Sequence, residues 1–398
     1  MSNTKFEAAL DERAKLKSCV IGIGFAGSFN AQQVHEKLDI PAFVINSSVK
    51  DLSDGVISKE IPAFIIGKDG RGAGNDRMKS KEMFKSNGRN LLEKTETFIH
   101  MVDQSDICFV IFSTAGGTGS GTGPELVKFL RKMHPQKIII PIVIAPKTCD
   151  SSLSQYNNLH CINELDALEG PYMIGDLDRF LHDSDNVAYD KMSEWVVESV
   201  RKLSGMEMSL SDSGMMDEND LSNVISEKGY MVQYTIEVNA KNIESTDIQD
   251  MLIAKLSTSP AMMIQRDHKV AWGGLVVNIP SEINDPIRTG DLSKIFQVAG
   301  EPRHVYKNYS VSKSTKGTVT LILSGLSLPY NRISESTSKV KDFLKATQEN
   351  QRNVSLGADL AELDVMDMDI SFGGFTKKSS STDNVDSEVA AAMDDFFD

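Results

Sequence analysis

The chain has 398 residues, 40% of them hydrophobic, and a formal net charge of −14 at pH 7. This length can bury a large core, whereas the negative charge argues against direct nucleic-acid binding, which needs cationic surface to displace counterions. The longest apolar run, residues 138–146, is too short to span a bilayer, so we expect a cytoplasmic protein that does not bind membranes. Four cysteines without a CxxC pair predict reduced thiols, and seven scattered histidines without an HExxH motif argue against a structural zinc site.

Apolar strands alternate with helices through the first half of the chain, after a charged N-terminal helix. The predicted strands are 19–23, 42–45, 63–66, 108–113, 137–145 and 172–174. This alternation predicts an α/β fold with a doubly wound parallel sheet. In such a sheet of order 3-2-1-4-5-6, strands one and four are neighbours, and the loops that follow them flank one crevice.

The second half has a different pattern. A long helix with apolar periodicity is predicted at 185–203, and strands near 232–237, 274–279 and 318–323 predict a second, smaller α+β domain. A polar amphipathic helix is expected near 334–350, and the acidic, aperiodic stretch after it is typical of a disordered tail. The predicted divisions are 1–184, 185–206 (the long helix), 207–330, 331–351 (the C-terminal helix) and 352–398 (the tail).

Two glycine-rich turns each follow an apolar strand: GIGFAG at 22–27 and AGGTGSGTG at 115–123. Glycine permits positive φ and close approach of backbone N–H groups to phosphate oxygens, and a following helix N-terminus adds its positive end. Because these turns follow strands one and four, the topology brings them to the same crevice. The pattern predicts one ligand with several phosphates, a nucleoside triphosphate.

Two other nucleotide-binding patterns fit less well. GIGFAG matches the dinucleotide fingerprint, but that fold requires an acidic residue after the second strand, where this chain has Asn46-Ser47-Ser48. A Walker loop, GxxxxGK followed by Ser or Thr, is absent. A dehydrogenase therefore stays only as a third hypothesis.

The stretch AGGTGSG at 115–121 resembles the signature of the tubulin/FtsZ GTPase superfamily, and GFAGS at 24–28 resembles its first phosphate loop. The resemblance covers about residues 19–222, and LSGLSLP at 323–329 is most similar to the plasmid and phage (TubZ/PhuZ-like) branch. It implies a GTPase that binds GTP or GDP with Mg²⁺ and polymerises head to tail into dynamic filaments. It further implies a role in segregating or positioning plasmid or phage DNA in a bacterial host, with a DNA-binding adaptor attached through the C-terminal tail.

The resemblance also implies which residues contact the nucleotide. Those of the two phosphate loops are Gly24, Phe25, Ala26, Gly27, Ala115, Gly116, Gly117, Thr118, Gly119, Ser120 and Gly121. Those of the other loops are Asn46, then Gly72, Ala73 and Gly74 beside the γ-phosphate, and Pro146 and Asp150 near the ribose. No residue is assigned to Mg²⁺.

Base recognition is open between alternatives. Asp176 stands where relatives have Asn, and a carboxylate could accept both N1–H and N2–H of guanine. Relatives also have an aromatic residue and, four residues later, an Asn. Asn186 could be that Asn, with His182 in the aromatic position, or Tyr189 could be the ring, with Ser193 in place of the Asn. Structural roles are the alternative: a turn Asp, a capping Asn and a packed Tyr.

The sequence GMMDENDLS at 214–222 predicts a helix start, with Asp217 at or near the N-cap and Asp220 at the third helical position. Without the resemblance this is an ordinary capped helix. With it, both carboxylates are implied to enter the nucleotide pocket of the next subunit and to orient the attacking water. The alternative function is a tubulin-like nucleotide binder that regulates filaments without hydrolysis.

Overall fold

The computed structural model describes residues 16–53, 57–58, 60–206, 218–239, 245–264, 270–280, 293–312 and 315–353. The expected N-terminal helix, Asp217 and nearly all of the expected tail lie outside these residues. Within the described part, no helix is long and apolar enough to cross a membrane.

The first half of the chain forms a parallel sheet. Its elements are β1 (Ser18–Ile23), α1 (Gly24–Leu38), β2 (Ala42–Asn46), α2 (Lys50–Ser53), β3 (Ala63–Ile65), α3 (Arg77–Lys94), α4 (Glu96–Asp103), β4 (Ile107–Ser113), α5 (Gly117–Met133), β5 (Ile138–Ala145), α6 (Ser152–Ala167) and β6 (Pro171–Asp176). The strand order is β3-β2-β1-β4-β5-β6, as the sequence predicts. β2 and β5 are buried along almost their whole length, which is typical of parallel strands covered on both faces.

The second half extends this sheet. After a 3₁₀ turn (Leu177–Phe180) its elements are α7 (Asp185–Leu203), α8 (Glu218–Ile225), β7 (Gly229–Asn239), α9 (Ser245–Thr258), β8 (Trp272–Pro280), α10 (Ser293–Ala299), β9 (His304–Ser312), β10 (Lys316–Leu326) and α11 (Tyr330–Asn353). The long helix α7 has the predicted bounds, and three strands match the predictions. β9 was not predicted.

One sheet runs through both halves. β7 pairs in parallel with β6 through Pro171–Gly229 and Tyr172–Tyr230, so the strands of the second half continue the order as β7-β10-β8-β9. β10 is antiparallel to both of its neighbours, whereas β9 is parallel to β8 at the edge. The expected second set of strands is therefore joined to the first by backbone pairing.

The helix α7 packs closely on the last strand of the parallel half. A Cβ on Gly175 of β6 would lie 2.5 Å from Met192 Sδ and 2.8 Å from the Trp195 ring. Glycine at this position therefore lets the middle of α7 lie close to the end of β6.

Two terms locate the site in this fold. The upper edge is the edge of the sheet at the C-terminal ends of β1–β6, and the lower edge is the one at their N-terminal ends. In open α/β sheets, ligands bind at the upper edge, where the order reverses. Here that reversal lies between β1 and β4.

Candidate functional site

The two glycine-rich turns touch each other at the upper edge. Gly24 has a φ of +70°, a conformation that favours glycine, and a Cβ there would lie 3.3 Å from Gly119 N and 3.4 Å from Thr118 Cβ. The turns after β1 and β4 therefore form one surface, as their strand positions predict.

The helices that follow these turns lack side-chain caps. Neither α1 nor α5 has a side chain bonded at its N-terminus, whereas Asp76 accepts from Met78 N and Lys79 N at the start of α3. Ser151 caps α6 in the same way. Among the described residues, the first backbone N–H groups of α1 and α5 thus have no side-chain acceptor. Two such ends at one place make a site for a polyanion.

Five glycines of the two turns and of the loop at 72–76 fall into two groups. A Cβ on Gly74 or Gly116 would meet no atom of the described residues within 4 Å, so both face open space. A Cβ on Gly27, Gly119 or Gly121 would lie 2.2–2.5 Å from a backbone carbonyl oxygen, so these three allow close packing of helices and strands. The predicted nucleotide contact therefore fits the first group best.

The loop after β2 connects the other loops. Asn46 is fully buried, and its Oδ1 accepts from Ser47 N at 2.8 Å and Ser48 N at 3.2 Å. The Ser47 and Thr118 hydroxyls are hydrogen-bonded at 2.6 Å, and Gly72 N donates to Ser47 O at 3.0 Å. Asn46 Nδ2 is a buried donor without a partner in the described structure. An acceptor brought by a ligand would satisfy it.

Asn157 of α6 holds two loops together. Its buried Nδ2 donates to the carbonyls of Asn75 and Ala115, both at 2.9 Å. The loop at 72–76 also packs on the second turn, since a Cβ on Gly117 would lie 2.7 Å from Asp76 N. Ala73 is buried within this loop. The loop expected beside the γ-phosphate is therefore fixed to the second glycine-rich turn. The sequence gives no sign of this bridge.

The loop after β5 forms a tight turn at the upper edge. Lys147 N donates to Asp150 Oδ2 and Asp150 N donates to Lys147 O, both at 3.0 Å. Lys147 Nζ donates to Asp185 Oδ1 at 2.9 Å, and this hydrogen bond raises the pKa of Lys147. The turn that contains Pro146 and Asp150 is thereby tied to the start of α7.

Asp176 is buried and already engaged. It accepts from Arg332 Nε at 3.0 Å and from Asp178 N at 3.2 Å. Burial raises the pKa of its carboxyl, and the guanidinium opposes that rise. An ionised carboxylate has about four acceptor sites, so a guanine N–H group would share Asp176 with Arg332 and Asp178. Its role in base recognition stays a prediction, and Arg332 is a neighbour that sequence reasoning missed.

Asn186 and Tyr189 both lie in the first turns of α7 and are exposed. Burial of part of the phenol raises the pKa of Tyr189, and the carboxylates of Asp185 and Asp150 raise it further. The Tyr189 hydroxyl therefore interacts electrostatically with charged groups of the turn at 146–150. The two registers for a stacking ring and an Asn stay open.

The predicted acid groups lie elsewhere. α8 begins at Glu218, so Asp220 is its third residue, as predicted, while Asp217 lies outside the described residues. A cleft of about 420 Å³ joins α8 to residues that precede β1, β4 and β5, among them Leu16, Ser105 and Lys137. This is the lower edge. The seven residues of β4 span roughly 20 Å, so the fold does not bring Asp220 to the glycine turns of its own chain.

Comparisons with known proteins agree with this arrangement. Residues 18–169 match the model of the Tubulin/FtsZ family, GTPase domain. The tubulin-like protein CetZ of Pyrococcus furiosus is 22% identical over 356 residues, which cover 84% of this chain and 93% of that protein. The tubulin-like protein TubZ of Clostridium botulinum C phage is 21% identical over 367 residues, covering 90% and 92%.

Solved structures show the same fold. Haloferax volcanii CetZ2, a GTPγS-bound protofilament, superposes with a TM-score of 0.69 at 18% identity, covering 83% of this chain and all of that chain. Both glycine-rich turns and the loops after β2, β3 and β5 lie within residues 18–169, whereas the end of β6 and the start of α7 lie beyond them. The chain has the tubulin/FtsZ fold, and its residues 18–169 match the model of the Tubulin/FtsZ family, GTPase domain.

Proposed function

We propose that this chain binds and hydrolyses GTP and polymerises head to tail, each copy completing the nucleotide site of the next. The separation of the glycine turns from α8 is the observation that carries this proposal. α8 lines the lower-edge cleft through Ser222 and Asn223, roughly 20 Å from the glycine turns, so we propose that Asp220, together with Asp217, acts on the nucleotide of another copy. Stacking copies in one direction brings unlike edges together.

The exposed apolar surface supports such stacking. Eight of the ten large apolar side chains that the described residues expose surround the upper-edge loops: Phe25, Val49, Met78, Leu153, Leu181, Val187, Tyr189 and Met263. Apolar side chains concentrated around one site mark an interaction surface rather than scattered exposure. The lower edge of a second copy is the partner that we propose for it.

We propose that each loop contacts a different part of the nucleotide. The backbone N–H groups of α1 and α5 bind phosphate oxygens, and the open side of Gly74 faces the terminal phosphate. Pro146 and Asp150 face the sugar, while Asp176, Asn186 and Tyr189 are the candidates for the base. A neighbouring structure, Haloferax volcanii CetZ1, is a GDP-bound monomer, which supports the choice of nucleotide.

Mg²⁺ fits this site as an ion held mainly by phosphates and water. In the described part of the chain, no group of three or more His, Cys, Asp and Glu side chains could hold a metal. Mg²⁺ retains several waters and uses substrate phosphates, so such a protein cluster is not required. When bound, it would neutralise phosphate charge. The acids at 217 and 220 would orient water, a contribution on the order of 10²–10⁴-fold.

Phosphate release measured against protein concentration tests the proposal. Specific activity should rise above a critical concentration, because a lone copy has an incomplete site. Asp217→Ala and Asp220→Ala should bind GTP and assemble but hydrolyse GTP slowly. Each variant, when mixed with the wild type, should lower the phosphate release of the mixed filaments. Asp250→Ala, which removes an exposed carboxylate of α9, is the matched control. Equal turnover by wild type and both acid variants would contradict the proposal.

The biological role that we propose is segregation or positioning of plasmid or phage DNA in the host cytoplasm. A phage TubZ is among the similar proteins, and the net charge of −14 favours a basic adaptor, bound through the tail at 352–398, over direct DNA contact. The proposed division is a GTP-binding domain (1–184), a central helix (185–206), an activation domain (207–330) and a C-terminal helix (331–351). Deletion of the tail should abolish adaptor binding without affecting GTP turnover.

A further inference from the structure

The first turn of α11 reaches the upper edge from a distant part of the chain. The Arg332 side chain is 11% exposed, and its Nε donates to the two oxygens of Asp176 at 3.2 and 3.0 Å. The same Nε lies 3.2 Å from Asp178 Oδ2, and Nη2 donates to the Pro146 carbonyl at 2.6 Å. One guanidinium therefore joins the loop after β5 to the end of β6.

Further hydrogen bonds fasten the same loop. Asp178 Oδ1 accepts from Thr148 N at 2.6 Å and from the Thr148 hydroxyl at 3.1 Å. Ser336 of α11 donates to Gln155 Oε1 at 2.8 Å, and Gln155 Nε2 donates to the carbonyl of residue 147 at 2.6 Å. Lys339 of α11 also donates to the Thr148 carbonyl, so α11 holds the loop at 146–150 through three routes, of which Arg332 alone also reaches Asp176.

These loops are the ones proposed to hold the sugar and the base. Because Arg332 Nε donates to both carboxylate oxygens of Asp176, the position of the Asp176 side chain depends on the guanidinium. The Pro146 carbonyl, at the start of the 146–150 turn, is fixed by the other arm of the same planar group. The N–H groups of the planar arginine guanidinium donate to several acceptors at fixed angles, which the lysine ammonium group cannot do.

We propose that Arg332 is a positioning residue for the sugar and base side of the nucleotide pocket, an inference that rests on the proposed GTP binding. Arg332 holds Asp176 and the 146–150 loop in the arrangement that selects the nucleotide. A residue that only anchors α11 would affect unfolding and leave nucleotide selection unchanged. Selection is therefore the decisive measurement.

The experiment compares Arg332→Lys and Arg332→Met with the control Lys341→Met, which removes an exposed cation from the same helix. Thermal unfolding is measured first. Affinities for GTP and ATP are then measured on the full chain below its assembly concentration, and KM and kcat above it. Arg332→Lys retains a positive charge beside Asp176, so that carboxylate is not left buried and unpaired.

We expect Arg332→Lys to unfold close to the wild-type temperature, yet to bind GTP roughly ten- to hundredfold more weakly and to discriminate less against ATP. KM should rise while kcat at saturation stays near wild type. Arg332→Met should show a larger change in the same direction, and Lys341→Met none. If Arg332→Lys binds and discriminates like wild type, the inference is wrong, whether or not Arg332→Met folds. Failure of the wild type to bind GTP would instead refute the proposed function.

Discussion

Gly116→Ala is the substitution that most directly tests the phosphate cradle. Gly116 is the N-cap of α5, with φ −82° and ψ 170°, an extended conformation that alanine adopts without strain. A Cβ there would meet nothing in the described structure within 4 Å. The free energy of unfolding should therefore fall by no more than about 1 kcal/mol, the cost of alanine in place of glycine at an N-cap.

The added methyl group would nevertheless stand where we place the phosphates. A misplacement of the nucleotide by about 1 Å can lower catalysis by about 10²-fold, and we expect a loss of affinity of at least about tenfold, equal to about 1.4 kcal/mol. The assay is titration of a fluorescent GTP analogue below the assembly concentration, combined with urea unfolding of the nucleotide-free chain.

Gly119→Ala is the matched control because it adds the same methyl group three residues later. Its Cβ would lie 2.5 Å from the Ser113 carbonyl oxygen and 3.2 Å from Phe112 Cβ, so the fold must shift. Overpacking of this kind lowers the free energy of unfolding by about 1–3 kcal/mol. If Gly116→Ala binds the analogue as tightly as wild type, the turn at 115–121 does not cradle phosphates. If it destabilises the chain as much as Gly119→Ala, our account of its surroundings is wrong.

Three more predictions concern the upper edge and its supports. Asn157→Leu should lower the free energy of unfolding by about 1–3 kcal/mol in urea and weaken GTP binding, because two loop carbonyls lose their donor; unchanged binding would contradict this. Cys149 is exposed and the other three cysteines are buried, so a native thiol assay should detect one fast thiol, slowed by GTP; several fast thiols would refute the burial. Burial lowers the pKa of His160 from 6.5, so the unfolded chain takes up this proton first as the pH falls. The free energy of unfolding should therefore decline as the pH drops through 6.5 towards the folded pKa, and it should decline less in His160→Asn. Equal urea midpoints for the wild type at pH 7.5 and 5.5 would contradict this prediction.

Much of the parallel half follows from local signals. β1 and β4 are short apolar runs that end in glycine-rich turns, so their neighbouring positions could be inferred from the usual order of such sheets. α7 was predictable because its buried positions recur with helical spacing. β9 has a misleading signal: polar and apolar residues alternate at 308–311, but the structure buries the polar Asn308 and Ser310 and exposes Val311, the reverse of an apolar core face.

Long-range features could not be predicted in the same way. The junction of the two halves consists of two backbone pairs between β6 and β7, and backbone pairing leaves no mark on residue type. Arg332 is a single arginine 156 residues from Asp176, and its contacts depend on how α11 docks. The candidate phosphate loops were therefore accessible from the sequence. The contacts of Arg332 with Asp176 and the Pro146 carbonyl were not.

The placement of the cradle and α8 on opposite edges has a consequence for the head-to-tail polymer that we propose for this chain. Its two tips are chemically unlike: one presents an open cradle that can exchange its nucleotide with solvent, whereas the other presents only an acid-bearing face. Every cradle inside the polymer is covered by a neighbour. Growth and shortening at the two tips therefore respond differently to nucleotide supply, and the directionality of the polymer is already set by the topology of a single copy.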